Sequence, residues 1–279
     1  MPAVPVPFRG ADLAGDAQEA YATWVAHQPV VGVAVWAHTG RGPHLGDAER
    51  GLVLASWRRA LPDRVIVAGA DSVAMAREAR AGGADALLAF PVRHDPIGYH
   101  RALGAELPVI LFELYEAAGG VPYDDDTLVA LLRLPEVIGI KVATLDSVMR
   151  FQHVAALVAA VPGKLLITGE DRFLGYSVML GARAALIGLG AALTDLGARL
   201  LEAYAHHDWA AFLDQSTRVD RFGAATFLAP MEGYVRRMLW ALAADGVIPP
   251  DACDDPWGPP LAASEREAVA RAVRELRKW

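Results

Sequence analysis

Two hydrophobic patterns alternate along the chain. Short continuous apolar runs, rich in Val, Ile, Leu and Ala, occupy 30–37, 64–70, 84–90, 108–113, 137–141, 164–168 and 184–188. Runs of that length without polar interruption suit strands buried on both faces of a parallel sheet. Between them, 16–26, 47–61, 72–81, 97–105, 125–134, 147–160 and 172–180 carry apolar residues at helical spacing. Asp47 and Asp146 are expected to cap helices, and Gly82-Gly83 to end one. The proline-broken opening segment, 1–8, supplies an eighth candidate strand. Repeated strand–helix alternation implies parallel strands joined by crossover helices. Eight such units in a chain of 279 residues predict an α/β fold, the (β/α)8 TIM barrel.

Strand signals cease after about residue 195. Helices are expected at 196–205, 209–222, 232–244 and 264–278, with a Pro/Gly/Asp-rich loop at 248–260. The expected organisation is a barrel catalytic domain over 1–222 and a C-terminal helical extension over 223–279.

Composition narrows the function classes. A 54% hydrophobic content implies a large core, and the formal charge of −7 lacks the basic stripe of a nucleic-acid binder. The single cysteine, Cys253, allows no intrachain disulfide or cysteine metal site. No secretory signal and no apolar run long enough to span a membrane are visible, so a cytoplasmic protein is expected. No His, Asp and Glu group has metal-ligand spacing and no dinucleotide-type glycine loop is present, so no metal or cofactor is expected.

One residue then stands out. The chain has three lysines, Lys141, Lys164 and Lys278, and Lys141 ends the strand at 137–141. An ammonium there is costly to bury unless paired or deprotonated, and a desolvated lysine is the usual amine nucleophile toward carbonyls. Barrel active sites lie at the C-terminal ends of the strands. That rule gathers His38, Thr39, Gly40 and Arg41 after the second strand, Arg93 after the fourth, and Glu113 and Tyr115 after the fifth. Gly169, Glu170 and Asp171 follow the seventh, and Leu186 belongs to the eighth. Glu170 and Asp171 also read as acidic residues opening the next helix.

These positions carry a family resemblance over nearly the whole length. Gly139-Ile140-Lys141, followed by Ala143-Thr144, matches the Schiff-base motif of the dihydrodipicolinate synthase / N-acetylneuraminate lyase family of class I pyruvate-dependent aldolases. Ala37-His38-Thr39-Gly40-Arg41 stands where that family has its Gly-Thr-Thr-Gly-Glu carboxylate loop. Thr168-Gly169-Glu170-Asp171 resembles its Ser-Gly-Asp-Asp loop, and 181–187 its eighth-strand segment. The chain also departs from the family. Phe112-Glu113-Leu114-Tyr115 occupies the Tyr-Asn-x-Pro motif, so phenylalanine replaces the catalytic tyrosine, leaving Tyr115 or Glu113 to serve. The second tyrosine, lent in the family by a neighbouring subunit, falls near Val92-Arg93. Losing both argues against dihydrodipicolinate synthase activity itself.

The resemblance implies a Schiff-base lyase acting on pyruvate or a longer 2-oxo acid through Lys141, with Tyr115 and Glu113 as catalytic candidates. His38, Thr39, Gly40, Arg41, Arg93, Gly169 and Leu186 are the substrate-binding candidates. Arg41 and Arg93, with His38 and His44, are expected to recognise an additional acidic group on the substrate. The alternatives are a dehydratase of a 2-keto-3-deoxy sugar acid using the same imine, and a catalytically reduced barrel with a binding role. The implied partner is a small-molecule 2-oxo acid, without nucleic acid or membrane, in a homodimer or homotetramer.

Overall fold

The computed structural model describes residues 1–278. A short antiparallel hairpin, β1 (Phe8–Arg9) and β2 (Asp12–Leu13), precedes α1 (Gly15–Ala26). Alternation then follows in order: β3 (Gly32–Val35), α2 (Asp47–Ala60), β4 (Val65–Ala70), α3 (Val73–Ala81), β5 (Ala86–Ala89) and α4 (Pro96–Gly104). It continues with β6 (Val109–Leu114), α5 (Asp125–Leu132), β7 (Val137–Ala143), α6 (Val148–Ala159), β8 (Leu165–Thr168), α7 (Leu174–Met179) and β9 (Ala184–Ala185). Four helices complete the chain: α8 (Thr194–Ala205), α9 (Trp209–Thr226), α10 (Tyr234–Ala244) and α11 (Ala263–Arg277).

Strands β3 to β9 pair in sequence order, all parallel. The opening segment fills the gap between β9 and β3. The amide of Ala3 donates to the Ile187 carbonyl at 2.9 Å and that of Val4 to Ala34 at 3.0 Å, so the barrel closes. This eighth member is only a pair of bridges, because Pro5 and Pro7 have no N–H to extend a ladder. The (β/α)8 barrel expected from the alternation is therefore present, with its C-terminal helices.

Side-chain alternation along each strand creates two cores. Ala34, Val67, Leu88, Ile110, Phe112, Ala143, Ile167 and Leu186 pack inside the barrel. Val33, Ile66, Leu87, Leu111, Ile140 and Val142 pack outward under the helices. On β7 this period of two turns Gly139, Lys141 and Ala143 inward. The strand runs two residues past Lys141, because Ala143 still pairs with Leu114 of β6.

Several local expectations shift. The residue before Asp47, Gly46, is the N-cap of α2, its amide donating to Glu49 at 2.8 Å. Ser147 caps α6, accepting from the Arg150 amide, while Asp146 is exposed. Helix α9 continues to Thr226, four residues past the expected end at 222.

Candidate active site

Lys141 sits inside the barrel at the C-terminal end, 5% exposed, with Phe112 directly beside it in the β6–β7 register. Its Nζ lies 4.3 Å from the centroid of the Phe112 ring. Burial lowers the amine from its usual value to about 8, against the pull of the Asp171 and Glu170 carboxylates. Gly169 makes room for the side chain. A Cβ at this position would lie 2.5 Å from Lys141 Cε, so the glycine just after β8 is a steric requirement of the lysine.

The two acidic residues after β8 do not open a helix, since α7 begins only at Leu174. Both are buried and hold neighbouring loops. Glu170 accepts from the amides of Thr144 and Leu145, each at 2.7 Å, and from the Thr144 hydroxyl at 2.9 Å. That grip fixes Leu145 at φ +67, a left-handed conformation costly for leucine. Asp171 accepts from the Leu189 amide at 2.6 Å and lines the Lys141 cavity. Burial raises both carboxyls to about 7 despite these hydrogen bonds.

Across the cavity the loop after β3 meets the C-terminal region. Thr39 Oγ1 lies 2.9 Å from the hydroxyl of Tyr234, the first residue of α10. That hydroxyl is 3.1 Å from His38 Nδ1. His38 Nε2 is 3.1 Å from Glu232, in the single helical turn just before α10. The other Glu232 oxygen accepts from the Tyr115 hydroxyl. Burial works to raise the Glu232 carboxyl, but bonds from His38, Tyr115 and Arg41 overcome it and hold the group down at about 2. Tyr234 stacks on Phe227, ring centroids 4.6 Å apart, which fixes its hydroxyl over the cavity. Burial pushes both tyrosines well above the ordinary phenol range, so both are neutral donors.

The sequence-derived candidates divide accordingly. Lys141, Thr39, His38, Tyr115 and Gly169 line one cavity. Arg41 does not face it as a free cation. It is 6% exposed and forked onto Asp255, with Nε to Oδ1 at 3.1 Å and Nη2 to Oδ2 at 2.7 Å, and its Nη1 reaches Glu232 at 3.1 Å. Arg93 is exposed in the loop after β5 and away from the cavity lining. His44 stacks on Trp257 instead. The cationic cluster expected to read a second acidic group is therefore not assembled.

Glu113 is also elsewhere. One residue after the inward-facing Phe112, it points outward and pairs with Arg150 of α6. The Gly40 amide donates to the Ala37 carbonyl at 2.9 Å, and its missing Cβ lets the Val4 carbonyl approach. Leu186 packs in the barrel interior below the site. Sequence reasoning missed Tyr234 and Glu232, which lie nearly two hundred positions from His38 in a segment read as an ordinary helix.

The chain is similar in sequence and in fold to known proteins. No family profile matches the chain. It is 28% identical to a 4-hydroxy-tetrahydrodipicolinate synthase of Ruegeria pomeroyi, over 82% of this chain and 83% of that protein. It is 23% identical to a probable mitochondrial 4-hydroxy-2-oxoglutarate aldolase of Emericella nidulans, over 91% and 88%. Among solved structures, the dihydrodipicolinate synthase of Oceanobacillus iheyensis superposes with a TM-score of 0.85 at 18% identity, covering 99% and 95% of the two chains. The N-acetylneuraminate lyase of Mycoplasma synoviae gives 0.81 at 18% identity, covering 100% and 97%. With a buried Gly-Ile-Lys lysine at the barrel mouth and such relatives in both sequence and fold, the chain is similar to the dihydrodipicolinate synthases, N-acetylneuraminate lyases and 4-hydroxy-2-oxoglutarate aldolases.

Proposed function

We propose that the protein is a class I, Schiff-base-forming aldolase that acts on pyruvate or a longer 2-oxo acid through Lys141. The observation that carries this reading is the Lys141 amine itself, buried at the barrel mouth and lowered to about 8. About one amine in ten is then free at pH 7, far more than for an ordinary lysine, and able to add to a ketone. Loss of water gives the iminium, whose positive nitrogen stabilises the carbanion equivalent formed when a bond to the adjacent carbon breaks. The Thr39 side chain lines the same cavity as the amine.

The substrate is a 2-oxo acid without a second anionic group, because Arg41 is committed to Asp255 and Glu232 and Arg93 lies outside the cavity. With Phe112 in place of the family tyrosine, the reaction differs from that of the synthases it resembles. Assembly as a homodimer or homotetramer belongs to the same reading and is checked by sedimentation.

Reduction with borohydride in the presence of pyruvate tests the proposal. A reduced three-carbon adduct mapped to Lys141, and absent in Lys141→Arg, supports it, since a guanidinium keeps the charge without forming the imine. Absence of any adduct across a panel of 2-oxo acids overturns it.

A further inference from the structure

Five side chains above Lys141 are joined end to end: Thr39, Tyr234, His38, Glu232 and Tyr115. We infer that Tyr234 is the proton donor and acceptor of this site, with His38 as its proton reservoir and Glu232 as the residue that positions the imidazole. The inference rests on the Schiff-base reading and supplies the proton path that Phe112 cannot.

Hydrogen-bond chemistry sets the direction of the chain. Glu232 is a carboxylate and can only accept, so the His38 Nε2 facing it carries a hydrogen. In neutral His38, Nδ1 is then an acceptor, and the Tyr234 hydroxyl donates to it at 3.1 Å. The Thr39 hydroxyl donates in turn to the Tyr234 oxygen at 2.9 Å. Arg41 and Tyr115 also donate to Glu232, which holds the carboxylate ionised and its orientation fixed. A carboxylate that fixes one imidazole nitrogen as a donor and stabilises the imidazolium leaves the other nitrogen to exchange a proton.

The steps balance over a cycle. When the carbinolamine on Lys141 collapses, the C–O bond breaks and the nitrogen lone pair forms the C=N bond. Tyr234 gives its proton to the departing hydroxyl, which leaves as water, and takes a replacement from Nδ1 of the His38 imidazolium. When the iminium becomes the enamine, the C–H pair of the adjacent carbon forms C=C and the C=N pair returns to nitrogen. The released proton passes to the Tyr234 oxygen as Tyr234 hands its own to His38, restoring the imidazolium. No external redox partner is needed.

Pyruvate in deuterated water separates this proposal from the reading beneath it. Methyl exchange is followed by proton NMR, and the imine is trapped with borohydride after long incubation. Tyr234→Phe and Glu232→Gln are each expected to retain the Lys141 adduct while exchange slows by about 100-fold, the scale of general acid–base catalysis. In Glu232→Gln the loss is expected in kcat for exchange with KM for pyruvate unchanged, which distinguishes positioning of His38 from loss of a binding wall. Exchange at the wild-type rate in both variants, or a loss confined to KM, overturns the relay while the aldolase reading stands. Failure of the wild-type protein to trap pyruvate overturns both. Tyr234→Phe removes one oxygen from a ring already stacked on Phe227, so it carries the test should Glu232→Gln unfold.

Discussion

Arg41 and Asp255 form a two-pronged ion pair, 2.7 Å at its shorter arm, that ties the loop after β3 to the segment between α10 and α11. Both side chains are almost fully buried, 7% and 1% exposed. Arg41 also adopts φ +52, a left-handed conformation that its fixed partners sustain.

Arg41→Ala is therefore expected to act on stability before substrate affinity. It strands the Asp255 carboxylate in a dry environment, a loss of about 3–5 kcal/mol for a broken buried pair. Urea denaturation measures it. A normal midpoint with a raised KM for the 2-oxo acid would instead restore Arg41 as a substrate-binding residue.

Glu113→Gln should leave catalysis within about twofold of wild type, and weaken folding by no more than about 1 kcal/mol, because its partner Arg150 is partly solvated. Steady-state kinetics on the natural or surrogate 2-oxo acid reads this. A collapse in kcat would show that the outward-facing carboxylate reaches the reaction after all.

Gly169→Ala places a methyl 2.5 Å from Lys141 Cε and 2.8 Å from Ala143 Cβ. Overpacking of this kind costs about 1–3 kcal/mol, or forces the amine out of line. The expected result is a drop of about tenfold or more in the rate of adduct formation, at the level of that strain. Wild-type trapping in this variant would contradict the packing described.

The rate of borohydride-trapped adduct formation should climb with pH and level off above about 8, where Lys141 loses its proton. An exposed lysine would keep climbing toward 10.5. Timed quenching across pH 6 to about 10 distinguishes the two.

Glu170 predicts an opposite signature in stability. Its folded value, about 7, exceeds the unfolded 4.5, so the folded state holds the proton more tightly. Its contribution is favourable at low pH and is lost as pH rises from about 4.5 through about 7, by up to about 3 kcal/mol. Comparing urea midpoints of wild type and Glu170→Gln across that window reads the difference. An identical pH slope in both proteins rules the effect out.

The barrel was legible in the sequence because a parallel strand buried on both faces must be apolar throughout, and the helices around it must be apolar on one side. The strand ends were less so. Pro5 and Pro7 shortened the first to a bridge, and pairing with Leu114 carried β7 two residues past Lys141. Lys141 was readable because the strand that bears it is local. Glu113 was misplaced because proximity to a strand end says nothing of which face a residue takes, and a shift of one position reverses it. Arg41 looked like a substrate clamp because nothing nearby in sequence announced Asp255. Tyr234 and Glu232 had no local signal at all, since their meaning comes from a contact with residues 38 and 39.

That contact has a consequence for the order in which the site comes into being during synthesis. Lys141 and the strands around it have all been made by residue 187. Glu232, Tyr234 and Asp255 emerge later. A nascent or shortened chain ending before them would carry Lys141 in a barrel mouth without the groups proposed to govern its protons. On the proposed relay, control of those protons is complete only when the last part of the chain has docked on the loop after β3.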